Sequence, residues 1–383
     1  MKALIVGGSN GVGAGIVDNL LNNNCELVYI YDKYKPIIDD KRVVWIKSNL
    51  INQEFDNLLA IKNEINYLFI TAGVGRLCSF ENIEYKEIEW MFKINALSPI
   101  KILKLFYDKI ASVNNFYVGV MSSIAGRVSS PLYALYAATK ASVSRFVESA
   151  NIELAESGFA NRIMECSPGS VRGTCFHGGI TDIESLKFIS AEIVKNTIAR
   201  QSLYIPKYDE IYKDVLGRYN VNAEKFGHES YKYKLENAKL ENVPKMKIGY
   251  LSGTFDMFHI GHLNLLRRAK QYCDYLIVGV HKDASHKGKS VIISFDDRCE
   301  ILRSCKYVDE VVESQKEDSD AYDIYHYDML FVGSDYKGSE RFNAYEKYFE
   351  DKNVKIIYFD YTQGISSTEL REKIKEKENA KDN

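Results

Sequence analysis

The chain has 383 residues, which is too long for one average domain and long enough for two domains that each bury a core. Its 50 Lys and Arg residues nearly balance 52 Asp and Glu residues, so no overall basic field favours a nucleic-acid or membrane partner. Its 7 cysteines form no CxxC pair, and no apolar run approaches the ~18 residues of a membrane span. These features predict a cytoplasmic protein with reduced thiols and local sites for small anionic ligands.

Two series of alternating strand and helix patterns follow one another along the chain. The first contains seven short apolar runs, from KALIVGG near the N-terminus to LYIPK at 203–207. The second begins at Lys247 and contains five, from KIGYLSG to KIIYFDY. This rhythm is typical of parallel sheets covered by helices, so the sequence predicts an α/β protein. The first sheet is expected to be a Rossmann-type doubly wound sheet and the second a smaller Rossmann-like one.

The composition between the two series predicts the domain limits. Residues 218–245 carry many charges and few aliphatic side chains before a proline, which indicates a linker that is helical in part. The predicted domains are therefore 1–217 and 246–376. A charged tail at 377–383 follows.

A glycine-rich turn follows the first apolar run, with Gly7, Gly11 and Gly13 between a strand and a helix. Glycines let the backbone approach a pyrophosphate, and the helix N-terminus favours its negative charge. Asp32 ends the second run, where a carboxylate accepts hydrogen bonds from an adenosine ribose. Because Asp32 repels a 2′-phosphate, the sequence predicts NADH. NADPH stays open because two lysines follow Asp32 within three residues.

A serine, a tyrosine and a lysine in FYVGVMSSIAGRVSSPLYALYAATK predict the chemistry of the first half. Tyr136 and Lys140 lie one helical turn apart, and an ammonium beside a phenol favours the phenolate. The spacing therefore predicts that the pKa of Tyr136 is lowered, so that it exchanges a proton near neutrality. Ser123 is expected to hold the carbonyl oxygen of a substrate.

With these motifs in order, roughly the first 205 residues closely resemble the short-chain dehydrogenase/reductase family. The departures are mild: Val6 stands where threonine is common, and Thr71 replaces the asparagine of an NAG segment. The resemblance implies an NAD(P)H-dependent oxidoreductase with catalytic Ser123, Tyr136 and Lys140, in which Asn95 helps to hold the lysine and a water. The cofactor-binding residues that it implies are Gly7, Gly11, Gly13, Asp32, Gly73, Pro168, Gly169, Val171 and Thr174.

Two histidines mark the start of the second series, in GTFDMFHIGH. His259 and His262 are three residues apart at the start of a predicted helix, so both imidazoles face one phosphate. At the positive end of a helix they would stabilise charge on a phosphoryl group under attack. A zinc site is the alternative, although no further ligands lie at a suggestive spacing.

Residues 247 to about 376 resemble the small cytidylyltransferases, most closely the glycerol-3-phosphate type. The likeness lies in GTFDMFHIGH, HKGKS, DDRCEIL, KYVDEV, VGSDYKG and GISSTEL. It implies that His259 and His262 are catalytic and contact a triphosphate, and that Asp256 helps to position a magnesium nucleotide as a metal ligand. The nucleotide- and phosphate-binding residues that it implies are Thr254, Phe255, Asp256, Lys287, Lys289, Arg298, Ser366, Ser367 and Thr368.

One segment departs from that family. YTQGIS has Tyr361 and Gln363 where the family often has an arginine and a glutamate. Because related HxGH enzymes use ATP, the sequence predicts CTP and leaves ATP open.

The two resemblances together predict one bifunctional enzyme. A reductase makes an alditol phosphate from a ketose phosphate, and a cytidylyltransferase joins an alditol phosphate to CMP, with Mg²⁺ and release of pyrophosphate. The product would be a CDP-alditol of the ribitol, glycerol or hexitol type, as used for capsules or teichoic acids. Both families commonly form homo-oligomers. Two alternatives stay open: an adenylyltransferase fused to a reductase of another pathway, and a half that acts only as a binding or assembly module.

Overall fold

The computed structural model describes residues 1–174, 176, 180–237, 246–283, 291–360 and 370–371. The chain divides into two compact units, Met1–Lys245 and Met246–Asn383. Each has its own parallel sheet, so the predicted α/β class with two sheets is confirmed.

A seven-stranded sheet forms the centre of the first unit. Its strands are β1 Lys2–Val6, β2 Leu27–Asp32, β3 Val43–Lys47, β4 Tyr67–Ile70, β5 Tyr117–Met121, β6 Ile163–Cys166 and β7 Leu203–Tyr204. Their order is β3-β2-β1-β4-β5-β6-β7, and all neighbours are parallel. The winding reverses between β1 and β4, which opens a crevice at the carboxyl ends of these strands.

Helices cover both faces of this sheet. They are α1 Gly11–Asn22, α2 Tyr85–Phe92, α3 Ser98–Leu105, α4 Tyr107–Ile110, α5 Ala134–Glu156, α6 Ile183–Ile198, α7 Lys213–Val221 and α8 Ala223–Asn237. The packing of β1 explains why the apolar runs that form the strands lack polar residues. Ala3 and Ile5 pack in the core that includes α1 and α6, whereas Leu4 and Val6 pack in the core that includes α3 and α5. A strand buried on both faces needs apolar side chains at every position.

The segment predicted as a linker is largely helical where the structure describes it. It contains the end of α7 and all of α8, and it falls within the first unit. The backbone oxygen of Ala223 accepts a hydrogen bond from Ser129 at 3.4 Å, and Lys234 donates to Ser130 at 2.7 Å. Residues 218–237 therefore belong to the first unit and contact its loop at 129–130, so this part of the predicted linker is not a free connection between domains.

A five-stranded parallel sheet forms the centre of the second unit. Its strands are β8 Ile248–Gly253, β9 Tyr275–Val280, β10 Glu310–Glu313, β11 Met329–Gly333 and β12 Lys355–Phe359, in the order β10-β9-β8-β11-β12. The helices are α9 Ile260–Lys270, α10 Phe295–Arg303, α11 Asp318–Tyr325 and α12 Glu340–Phe349. The reversal of winding again lies beside the first strand, so the segment after β8 reaches the crevice.

Two further findings bear on the predicted environment. Within the described ranges, no helix is long and apolar enough to cross a membrane. No disulfide joins the cysteines in those ranges.

Candidate active sites

Two glycines of the turn after β1, Gly7 and Gly13, lie where there is no room for a side chain. Gly7 has φ of 85°, and a Cβ added to it would lie 2.5 Å from the amide nitrogen of Ala72. A Cβ on Gly13 would lie 2.1 Å from the carbonyl oxygen of Gly7. The first turn of α1 therefore lies directly against the end of β1, the arrangement by which a helix N-terminus receives a phosphate.

Asp32 lies beside this turn at the end of β2. Its carboxylate accepts hydrogen bonds from the amides of Ser9 at 3.1 Å and Tyr34 at 3.3 Å. Burial raises the pKa of Asp32, and the hydrogen bonds from Ser9 and Tyr34 oppose that rise. The carboxylate is thus fixed next to the turn, where the sequence predicted it.

Two described residues from the segment that follows β6, Thr174 and Thr181, contact the glycine turn. Thr181 Oγ1 accepts a hydrogen bond from the amide of Gly11 at 2.9 Å, and Thr174 Oγ1 donates to the carbonyl of Val171 at 3.0 Å. A Cβ on Gly11 would lie 3.8 Å from Thr174. Sequence analysis missed Thr181, because no local pattern relates it to a turn 170 residues earlier.

Lys140 is fixed in the first crevice by backbone contacts. Its Nζ donates to the carbonyl of Met121 at 3.0 Å, and a Cβ on Gly73 would lie 3.1 Å from it. Burial lowers the pKa of Lys140 to about 8, and the negative charge of Glu165 opposes that shift. The lysine is only 2% exposed, so its ammonium acts on its surroundings without competition from solvent.

Asn95 lies in a single π-helical turn, Lys93–Leu97, between α2 and α3. Its side chain accepts from the amide of Val74 at 2.8 Å and donates to the carbonyl of Val74 at 2.7 Å. It also donates to Thr139 at 3.0 Å on α5, the helix that carries Tyr136 and Lys140. The residue therefore ties the segment after β4 to α5, and such π turns are frequent at functional sites.

Tyr136 differs electrostatically from the sequence prediction. Burial raises its pKa to about 12, and a hydrogen bond with Ser123 opposes that rise. The predicted lowering by Lys140 is wrong for this arrangement, because the ammonium lies 5.7 Å from the ring centre and donates to a carbonyl. The phenol is therefore protonated at neutral pH, the form that donates a proton.

Ser123 lies where the sequence expected it, beside Tyr136. Its hydroxyl donates to the carbonyl of Pro168 at 3.4 Å and accepts from the amide of Ala125 at 3.1 Å. Next to it, a Cβ on Gly169 would lie 1.6 Å from the hydroxyl of Tyr212. Tyr212 thus borders this site, although no motif in the sequence points to it.

A largely buried charge network around Glu165 acts on Lys140. Glu165, 2% exposed, accepts hydrogen bonds from Ser144 at 2.6 Å and Ser167 at 2.5 Å. Its second oxygen pairs with Arg127 at 2.6 Å. Sequence analysis treated β6 as a plain buried strand and missed this carboxylate, which acts on Lys140 through its charge.

His259 and His262 adopt one defined tautomer at the start of α9. His259 Nδ1 accepts the amide N–H of Gly261 at 3.1 Å, and His262 Nδ1 accepts that of His259 at 3.4 Å. A neutral imidazole with an accepting Nδ1 carries its proton on Nε2. Burial and the neighbouring His259 lower the pKa of His262 to about 3, so His262 is a neutral Nε2–H donor at physiological pH.

The loop between β8 and α9 contains strained backbone. Phe255 has φ of 52° and Met257 has φ of 51°, the left-handed region that side chains other than glycine rarely adopt. In addition, Thr254 Oγ1 is buried and has no hydrogen-bond partner among the described residues. Strain and an unsatisfied hydroxyl in the predicted phosphate loop are both features of ligand sites.

Asp256 makes bonds that differ from the predicted metal contact. Its carboxylate is 4% exposed and accepts from the amides of Ile292 at 3.1 Å and Ile293 at 2.9 Å, and it pairs with Arg371. Burial would raise its pKa, but these amides and Arg371 outweigh it and the pKa is lowered. The carboxylate thus holds two distant segments together, which argues against direct contact with a metal ion.

The contacts of Arg298 also differ from the phosphate contact that the sequence predicted. It is 1% exposed, and its guanidinium donates to the carbonyls of Ile293 at 3.0 Å, His281 at 2.8 Å and Lys282 at 2.9 Å, and to that of Thr254. These bonds join α10 to the ends of β8 and β9. Arg298 therefore shapes the site from inside the protein.

Several predicted residues lie outside the described ones: Lys287, Lys289, Ser366, Ser367 and Thr368. For the zinc alternative, no group of three His, Cys, Asp or Glu side chains in the described part is arranged to hold a metal ion.

Two family models match the chain. A model described as cytidylyltransferase-like matches residues 250–373, and a model described as short chain dehydrogenase matches residues 1–182.

Individual relatives agree with this division. A glycerol-3-phosphate cytidylyltransferase of Bacillus subtilis (strain 168) is 36% identical over 126 residues, which cover 32% of this chain and 92% of the relative. An uncharacterized oxidoreductase of Saccharomyces cerevisiae is 28% identical over 191 residues, 46% of this chain and 56% of the relative. The crystal structure of a short-chain dehydrogenase from Streptomyces avermitilis has a TM-score of 0.50 at 18% identity, and covers 62% of this chain and 99% of that chain. That likeness concerns the fold alone.

Proposed function

Because the chain belongs to the cytidylyltransferase-like family and carries a short chain dehydrogenase domain ahead of it, we propose that it makes a CDP-alditol in two steps. The first site reduces a ketose phosphate to an alditol phosphate with NADH. The second transfers a cytidylyl group from CTP to that phosphate and releases pyrophosphate. The observation that supports this proposal is that one chain carries the residues for both reactions. The alditol phosphate that the first would make is the substrate that the second would use.

The first crevice fits a nicotinamide dinucleotide. An added Cβ at Gly7 or Gly13 would clash with the protein itself, so these glycines let the first turn of α1 lie against the end of β1, as a helix that receives a phosphate does, and Asp32 is fixed beside this turn. Gly73, Pro168, Gly169, Val171 and Thr174 lie on the segments that follow β4 and β6. NADH is favoured over NADPH because a 2′-phosphate would lie near the Asp32 carboxylate.

Reduction needs a hydride and a proton, and the bound nicotinamide would supply the hydride. The hydroxyl of Ser123 would hold the carbonyl oxygen, and Tyr136 would donate the proton to it. The raised pKa of Tyr136, about 12, keeps the phenol protonated until the oxygen becomes basic. Lys140, whose ammonium donates to the carbonyl of Met121, would contribute positive charge to the site rather than set the pKa of the phenol.

Cytidylyl transfer is an in-line displacement at the α-phosphorus of CTP. A phosphate oxygen of the alditol phosphate attacks, a P–O bond forms, and the bond to pyrophosphate breaks. The Nε2–H groups of His259 and His262 would donate hydrogen bonds to the phosphoryl oxygens and stabilise their charge. Mg²⁺ would enter with the nucleotide, and the bonds of Asp256 make that residue a support for the loop.

Analysis of products with a panel of substrates tests this function. The full chain is incubated with glycerone phosphate, ribulose 5-phosphate or a hexulose 6-phosphate, with NADH or NADPH and CTP or ATP, and products are identified by mass spectrometry. We expect a CDP-alditol and pyrophosphate from one ketose phosphate. ATP outperforming CTP would instead support the adenylyltransferase alternative. A cytoplasmic location and a homo-oligomeric state stay predictions.

A further inference from the structure

Lys234 lies on the side of α8 that packs against the rest of the first unit. Of the eight residues 230–237, only Ser230 and Lys234 are partly buried, and the others are exposed. Gly227 lies on the same side, where an added Cβ would be 3.3 Å from Ser129 Oγ. This side of α8 therefore lies along the loop at 129–131, which leads into the catalytic helix α5.

The Lys234 ammonium has only neutral partners in the described part of the chain. Its Nζ donates to Ser130 Oγ at 2.7 Å and to the carbonyl oxygen of Pro131 at 2.8 Å. Burial alone lowers its pKa, to about 8, and no carboxylate opposes that shift. A half-buried cation that carries no anionic partner is costly unless an anion from outside the chain joins it.

The position of this cation relates it to the reductase chemistry. Its Nζ lies 5.3 Å from the ring centre of Tyr133, and the Tyr133 ring lies 5.7 Å from the ring of Tyr136. The ammonium is thus one aromatic ring away from the phenol that would donate the proton. A ketose phosphate has the same layout, since a short carbon chain separates its carbonyl from its phosphate.

We propose that Lys234 binds the phosphate group of the substrate of the first site. The inference rests on the proposed function and deepens it, because it gives this site a reason to prefer phosphorylated ketoses. Lys234 would bind substrate and take no part in proton or hydride transfer. The third N–H of its ammonium is the donor that remains for a phosphate oxygen once Ser130 and Pro131 are satisfied.

The test compares phosphorylated with phosphate-free substrates in the full chain. Lys234→Met removes the charge and keeps the length of the side chain. For glycerone phosphate or ribulose 5-phosphate we expect kcat/KM of reduction to fall ~10- to 100-fold, mainly through KM. For glycerone or ribulose, kcat/KM should stay unchanged. Lys234→Arg should restore much of the activity towards the phosphates, and inorganic phosphate should compete with substrate in the wild type but not in Lys234→Met.

Lys232→Met is the matched control, because Lys232 is an exposed lysine on the same helix. It should leave both substrate classes unaffected. If Lys234→Met fails to fold, Lys234→Gln keeps a donor for the Pro131 carbonyl and serves instead. Equal losses on phosphorylated and free ketoses would assign Lys234 to the structure of the loop and overturn the inference.

The two proposals fail in different ways. A wild type that reduces ketose phosphates, together with a Lys234→Met variant that reduces them equally well, would overturn only the role of Lys234. A wild type that reduces only phosphate-free carbonyl compounds would overturn both.

Discussion

Burial decides the protonation state of the residues that would carry the chemistry. In the first unit it raises the pKa of Tyr136 to about 12 and lowers that of Lys140 to about 8. In the second it lowers the pKa of His262 to about 3. Because burial disfavours the charged form of every group, each of these side chains is driven towards its neutral state. A neutral phenol and a neutral imidazole are both hydrogen-bond donors, as the two proposed reactions require.

Replacement of Asp32 should change the choice of cofactor. Asp32→Asn keeps an acceptor for the amides of Ser9 and Tyr34 but removes the negative charge. We expect the ratio of kcat/KM with NADH to kcat/KM with NADPH to fall ~10- to 100-fold, since a 2′-phosphate is no longer repelled. Asp39→Asn, at an exposed acid near the same strand end, is the control. A wild type that strongly prefers NADPH would contradict the role of Asp32.

His262 should remain neutral across the physiological pH range. We expect the ¹⁵N spectrum of histidine-labelled full chain to show an Nε2–H tautomer for His262 from pH 8 to pH 5, assigned by its loss in His262→Gln. An unfolded chain takes up this proton near 6.5 and the folded chain near 3. Neutral His262 therefore contributes stability that is present above pH 6.5 and is lost as pH falls towards 3. A midpoint near 6.5 in the folded protein would show that the imidazole is not desolvated.

At the scale of elements, the sites lie where strands end and helices begin. Gly13 brings α1 against the end of β1, and His259 caps α9 directly after β8. In both units a parallel sheet reverses its winding beside the first strand, so the two proposed nucleotide sites lie at equivalent crevices of their sheets. The ends of these elements are held in place by side chains from distant segments, such as Asn95 and Arg298.

Arg298 offers a prediction about how α10 is held. Arg298→Lys keeps the charge but cannot reach the carbonyls that the guanidinium joins, and unsatisfied buried carbonyls cost ~1–3 kcal/mol each. We expect a lower unfolding temperature in calorimetry of the full chain, by the equivalent of ~2–4 kcal/mol. Arg303→Lys on the same helix, where the side chain is 57% exposed, should change stability by less than ~0.5 kcal/mol. If the unfolding temperature is unchanged and CTP binds more weakly, the result would instead support the sequence-based prediction that Arg298 contacts a phosphate.

At the scale of the whole molecule, two units with separate sheets carry separate sets of site residues. We therefore predict that single substitutions separate the two activities. Tyr136→Phe removes the proton donor and keeps the ring, so it should abolish ketose phosphate reduction and leave cytidylyl transfer to added alditol phosphate intact. His262→Ala should do the reverse, with a loss of transfer of ~100-fold or more.

The coupled reaction gives the clearest measurement of this separation. With both sets of substrates present, the Tyr136→Phe variant should make CDP-alditol only when alditol phosphate is supplied. The His262→Ala variant should accumulate alditol phosphate. Loss of both partial reactions in either folded variant would mean that the two sites depend on one another.

The sequence by itself determined the features that depend on local pattern. Short continuous apolar runs predicted twelve strands in two parallel sheets, because a strand that is buried on both faces has no place for polar residues. The sequence alone also revealed three motifs: the glycine turn, the spacing of Ser123, Tyr136 and Lys140, and the two histidines. Each is a local pattern, because residues close together on one turn or helix lie near one site whatever surrounds them.

Only the tertiary structure decided what depends on partners from distant parts of the chain. Burial reversed the predicted pKa shift of Tyr136, and carbonyls from three segments turned Arg298 from an expected phosphate contact into a support. Lys234, in a segment predicted to be a linker, packs against a loop more than 100 residues earlier. Desolvation and long-range hydrogen bonds act through space, so no spacing along the chain reports them.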